Sequence, residues 1–183
     1  MGHNRPLGGV FVDFWGLKTN KINFIPEDLG TKIEHNMSNK EEMYQQLYKQ
    51  VKSLTEGEDD RIANMANTAA LIHRNFSFWW TGFYLVKGDE LVLGPFQGPV
   101  ACTRIPYGRG VCGCSWKQAS SIVVPDVEQF PGHIACSGES KSEIVVPIMK
   151  EGKVTAVLDI DSEKLNTFDE TDRIWLQRIA ALI

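Results

Sequence analysis

The chain has 183 residues, 43% hydrophobic and 23% charged, with a formal net charge of −4. Such a chain is globular and long enough to bury one core without staples, and its acidic balance leaves no basic face for nucleic acid or an anionic membrane. No run approaches the roughly 18 apolar residues of a membrane span, and the N-terminus lacks a charged segment followed by a clean apolar one. A cytoplasmic location is therefore expected, where the four cysteines are kept as thiols and any disulfide is transient.

Residues 1–36 show no sustained helical or strand period and are expected to form an N-terminal extension outside the fold, with Met37 a candidate start and 37–183 a single domain. Ser38 and Glu41 read as a capping box opening a helix with Met43, Leu47, Val51 and Leu54 on one stripe. A break at 56–60 leads to a second helix striped by Ile62, Met65, Ala66, Ala69, Ile72 and His73, the last read as a partly buried helix histidine. From Phe76 onward the pattern turns to strands. An aromatic and β-branched run over 78–86 is followed by a hairpin signal at Gly88-Asp89, a strand around 91–93 and a third over 100–105. A tight Gly-rich bend precedes a short helix over 111–118, a brief strand at 121–124 and an irregular segment reaching Cys136. The final third reads as a hairpin, 143–149 with 154–161, and a closing helix with Thr167 and Glu170 as its capping box and Trp175, Ile179 and Leu182 as its stripe. That stripe reaches Ile183 without a Gly cap, as in a helix cut short. These elements describe an α+β domain: a central antiparallel sheet with N-terminal helices and a C-terminal helix packed on one face.

Residues 94–143 hold every cysteine. Structural zinc draws on close C-x₂₋₄-C pairs with a second pair at fixed distance, whereas here only Cys112-x-Cys114 occurs, inside a Gly-rich turn, so no metal is expected. Cys136 best fits a reactive thiol, in a polar loop with His133 and Lys141 as nearby cations, while Cys102 falls in the third strand and Cys112 near a helix start. The alternative for each is a small buried hydrophobe. In 154–161, strand alternation puts Asp159 and Asp161 on one face opposite Ala156, Leu158 and Ile160, with Glu143 at the start of the paired strand. Like charges so placed call for a cation such as a ligand ammonium, or else face bulk water. Trp80 serves as an apolar wall for a ligand or as a core aromatic.

The motifs Trp80-Thr81-Gly82-Phe83-Tyr84, Gly108-Arg109-Gly110-Val111-Cys112-Gly113, Pro131-Gly132-His133-Ile134-Ala135-Cys136 and Leu158-Asp159-Ile160-Asp161, with Cys102 and Glu143, resemble the free methionine-(R)-sulfoxide reductases, which are single GAF domains. The resemblance implies a GAF-like fold and thiol-dependent reduction of free L-methionine-(R)-S-oxide. It makes Cys136 the nucleophile that becomes a sulfenic acid and Cys102 the partner that closes a disulfide. Cys112 becomes an alternative disulfide partner or relay. It assigns Glu143, Asp159 and Asp161 to the substrate ammonium and sulfoxide, and Trp80 to the methyl end. It further implies no bound cofactor, thioredoxin as external reductant, and a homodimer. Cys114 and the bulky Trp116 depart from the small-residue run expected after Cys112. The competing reading is a non-catalytic GAF domain that binds a small ligand or senses redox state.

Overall fold

The computed structural model describes residues 31–183 other than Ala135 and Ser137, with side chains from Asn39 onward. Two helices, α1 (Thr31–Thr55) and α2 (Arg61–Phe76), precede the strands β1 (Trp80–Lys87), β2 (Glu90–Gln97) and β3 (Arg104–Pro106). Helix α3 (Gly110–Gln118), strand β4 (Ile122–Val124) and a 3₁₀ turn (Val127–Gln129) lead to β5 (Ser142–Lys150), β6 (Lys153–Ser162) and α4 (Glu170–Ala180). The strands form one antiparallel sheet in the order β3-β2-β1-β6-β5-β4. Both hairpins turn in two residues. At the second, Glu151 and Gly152 have φ of 51° and 74°, the left-handed pair whose twist matches the strands on either side.

Strand alternation divides the core in two. Phe83, Ile144, Val146, Ile148, Ala156, Leu158 and Ile160 face α1, α2 and α4, where Tyr44, Leu47, Met65, Ile72, Trp175 and Ile179 complete a continuous apolar layer. Tyr84, Val145 and Val157 face the other way and pack with Val111 and Cys112 of α3. The expected layering of the terminal helices on one face is observed, and α3 packs on the opposite face together with Val127, Phe130 and Ile134 from the segment between β4 and β5.

Several local expectations are corrected. Helix α1 begins at Thr31, so Ser38 lies inside it and is no cap. The expectation of an N-terminal extension falls mainly outside the described residues, and 31–36 are helical. Ile62 is 48% exposed, and the buried stripe of α2 is Asn64, Met65, Thr68, Ala69 and Ile72. The helix is capped by Asp60, which accepts from the amides of Ile62 and Ala63. The third strand begins only at Arg104, so Cys102 is in a loop. The capping box of α4 is Asp169 with Asp172, two residues beyond Thr167. Thr167 donates to Ser162 Oγ and the Lys164 carbonyl instead.

Asp172 is fully buried because it does two jobs. Its Oδ1 accepts from the Tyr44 hydroxyl at 2.7 Å, and its Oδ2 accepts from the Asp169 amide at 2.7 Å and from Lys40. This carboxylate ties α1 to α4 across the helical layer. Asp172→Ala is expected to cost about 3 kcal/mol, since it strands a buried tyrosine hydroxyl and opens the cap; the urea unfolding midpoint measures it.

Candidate active site

Three adjacent strands set the site by register. Trp80 of β1 and Glu143 of β5 both lie opposite Asp161 of β6, and Gly82 and Val145 lie opposite Asp159. Side chains at paired positions share a face, so Trp80, Glu143, Asp159 and Asp161 converge on the side covered by α3. Gly82 makes room for this: a Cβ there would lie 2.4 Å from Phe96 Cβ and 2.5 Å from the Trp80 ring. The indole therefore lies over the strand, stacked on Tyr84 and Phe96 with centroids 5.9 and 5.4 Å away, and its Nε1 donates to the Pro99 carbonyl at 3.1 Å.

Cysteines close the other side. Cys112, in the first turn of α3, is buried, and its Sγ lies 3.9 Å from Glu143 Oε1. Cys136 arrives from the loop before β5 and is joined by a disulfide to Cys102, with Cα atoms 5.3 Å apart. The Cys102 carbonyl accepts a 3.0 Å hydrogen bond from the Tyr84 hydroxyl. Cys112 and Cys114 are free. Trp80, Tyr84, Cys112, Cys136, Glu143, Asp159 and Asp161 line one cavity of about 40 Å³, room for roughly three waters. Every expected site residue except Cys102 is on its wall, and Cys102 is bonded to one that is.

The electrostatics are unusual. Glu143 and Asp159 are only 5% and 6% exposed, and burial, reinforced by mutual repulsion with Asp161, holds both carboxyls well above the ordinary range. Asp159 Oδ1 is buried with no hydrogen-bond partner. Burial raises Asp161 to about 6, moderated by the hydrogen bond it accepts from Ser140. Burial pushes the Cys112 thiol up as well, with the Asp159 and Glu143 charges adding to the effect. His133 Nε2 is 3.7 Å from Glu143 Oε2. Desolvation lowers the histidine and raises the acid, so we read this as a contact between neutral groups. Lys141 does not serve the site: its ammonium turns to Glu128, 3.5 Å away. The trio thus carries fewer than three charges at neutral pH and retains protons that it can donate.

Residues 59–183 match the GAF domain family. The free methionine-R-sulfoxide reductase of Saccharomyces cerevisiae is 43% identical over 154 residues, 79% of this chain and 86% of that protein. The chain belongs to the free methionine-R-sulfoxide reductase family. Another relative of this reductase-family chain is GAF domain-containing protein A of Dictyostelium discoideum, 55% identical over 82% of this chain and 96% of that one. Among solved structures, free methionine-R-sulfoxide reductase from Neisseria meningitidis in complex with its substrate is 46% identical. It superposes with a TM-score of 0.77 and covers 90% of this chain and 93% of the other.

Two residues of this reductase-family site escape a reading by sequence. Tyr84 shares the period-2 face of Trp80, and that signal was available, but a tyrosine in an aromatic strand reads first as core. Ser140 steadies Asp161 across 21 residues of chain, and nothing local announces the contact.

Proposed function

We propose that this protein reduces free methionine-(R)-sulfoxide to methionine, acting as a homodimer in a reducing compartment such as the cytoplasm, with thioredoxin as reductant. The observation that carries the reading is a redox-capable cysteine pair and three carboxyls, two of them buried, around one cavity beside an indole, in a chain akin to enzymes named for that substrate. The ammonium of the substrate pairs with Asp161, the lowest of the three acids, and its methyl sulfur end packs on Trp80. Glu143 and Asp159, kept protonated by burial, face the sulfoxide oxygen. The Cys136 thiolate attacks the sulfoxide sulfur as a carboxyl delivers a proton to oxygen. Oxygen passes to Cys136 as a sulfenic acid, and methionine leaves with the electron pair on sulfur. The Cys102 thiol then displaces water from the sulfenic acid, forming the disulfide. Thioredoxin, a dithiol, reopens it by exchange and is itself oxidised. Cys112 takes no part as nucleophile, because a thiol buried among carboxyls holds its proton.

The test is NADPH consumption with thioredoxin and its reductase, offered free R sulfoxide, free S sulfoxide and a sulfoxide-containing peptide. Turnover confined to the free R epimer supports the proposal, and no turnover with it sinks the proposal.

The cavity in the disulfide-bonded form is too small for a molecule of amino-acid size. Reduction of the Cys102–Cys136 disulfide is therefore expected to open the cavity to substrate. By calorimetric titration, free methionine sulfoxide should not bind the oxidised protein but should bind saturably to the Cys102→Ser/Cys136→Ser double variant.

A further inference from the structure

Beside the redox pair lies a donor set, Cys112 with the two carboxyls Glu143 and Asp159, that stands without a partner whenever the substrate is absent. One ligand atom from each of Cys112, Glu143 and Asp159 lies within 4.8 Å of the others, and all three residues are buried. They come from α3, β5 and β6, so no sequence spacing reveals them. A second observation, independent of their clustering, points to a ligand. Asp159 is 94% buried on the cavity wall, with an oxygen that has no hydrogen-bond partner, and a buried polar atom left in that condition costs about 1–3 kcal/mol.

We propose that Cys112, Glu143 and Asp159 bind a thiophilic divalent cation of the zinc type, which occupies the carboxylate end of the cavity and so excludes the substrate. The exclusion rests on the sulfoxide reading of the cavity; the cation site does not.

The chemistry fits the donors. Zinc takes Cys sulfur at about 2.3 Å and carboxylate oxygen at about 2.1 Å, which gives tetrahedral donor–donor edges of roughly 3.4–3.6 Å. The Cys112 Sγ to Glu143 Oε1 distance is 3.9 Å and all three donors lie within 4.8 Å of one another, so binding draws them inward. One thiol and two carboxyls also satisfy a borderline-soft cation better than magnesium or calcium, which want oxygen alone. On binding, the Cys112 S–H bond breaks, a sulfur–metal bond forms, and the proton goes to solvent, as do the protons of Glu143 and Asp159. The dication offsets the burial cost and the mutual repulsion that otherwise keep these acids protonated. Three protein donors leave a fourth position for water.

Cadmium is the probe, because its bond to thiolate gives an ultraviolet charge-transfer band. In the oxidised protein Cys102 and Cys136 are blocked, so a band must come from Cys112 or Cys114. The proposal expects a band saturating at one cadmium per chain, retained in Cys114→Ser and lost in Cys112→Ser. Glu143→Gln should keep the band but weaken affinity at least about tenfold, which tests the site should Cys112→Ser fold poorly. No band, or a band lost in Cys114→Ser and kept in Cys112→Ser, overturns the site, as does unchanged affinity in Glu143→Gln. In the Cys102→Ser/Cys136→Ser variant, free methionine sulfoxide should displace the cadmium. A band indifferent to sulfoxide would overturn the exclusion and leave the cation site standing, while the turnover assay without metal judges the reductase reading separately.

Discussion

Cys136→Ser is expected to abolish methionine formation from free methionine-(R)-sulfoxide, the first turnover included, with a loss of at least about 10⁴-fold. A serine hydroxyl at neutral pH offers neither the thiolate nor a sulfur able to take the oxygen. Cys102→Ser should behave differently. It retains the attacking thiol and the carboxyls, so each chain yields one methionine and then stops with Cys136 as a sulfenic acid, detectable by dimedone labelling and mass spectrometry. The separation of the two phenotypes follows from the placement of the cysteines: Cys136 is on the cavity wall, whereas Cys102 reaches it only through the disulfide. A first turnover in Cys136→Ser would transfer the nucleophile to another thiol.

Asp159→Asn is expected to lower kcat/KM about 10²–10³-fold while making the protein more stable by about 1–2 kcal/mol at pH 8. The carboxyl is buried, lacks a partner at Oδ1 and sits beside two other acids, an arrangement that the proposed proton delivery uses and that folding resists. The pH dependence has a definite sign. A carboxyl whose folded pKa exceeds its unfolded value near 3.9 contributes its full stability below that value and loses it as pH rises through the folded pKa. The stability advantage of Asp159→Asn should therefore vanish below about pH 4 and grow steadily above it. For Asp161, raised to about 6, the advantage of an asparagine should emerge between roughly pH 4 and 6 and then level off. Thermal unfolding across pH measures both; an advantage that shrank with rising pH would contradict the account.

Sequence periodicity made much of this site legible because it is built on strands. A two-residue repeat suffices to put Asp159 and Asp161 on one face, and antiparallel pairing then puts Glu143 and Trp80 beside them. Loops and caps were harder. The β-like composition of residues 100–105 continues past the point where pairing stops, and what bends the chain there is distant: Trp80 Nε1 holds the Pro99 carbonyl and the Leu93 amide holds the Thr103 carbonyl. Cys102 consequently lies in a loop that can reach Cys136. Likewise Thr167 and Glu170 satisfy the local capping pattern, yet Asp169 and Asp172 cap α4 because Asp172 also meets Tyr44 and Lys40 of α1. Lys141 was close to Cys136 in sequence, but its backbone pairs with Ser162 and Val127 and its side chain turns to Glu128. Each miss is a long-range contact overriding a sound local signal.

The measurement that bears most directly on the central claim is a single turnover of the fully reduced protein with racemic free methionine sulfoxide, followed by chiral analysis of the residue and peptide mapping of the protein. The account predicts one methionine formed per chain, drawn from the R epimer alone, with Cys102 and Cys136 recovered as the new disulfide. Consumption of the S epimer, or a disulfide formed through Cys112 or Cys114 in place of that pair, would contradict it.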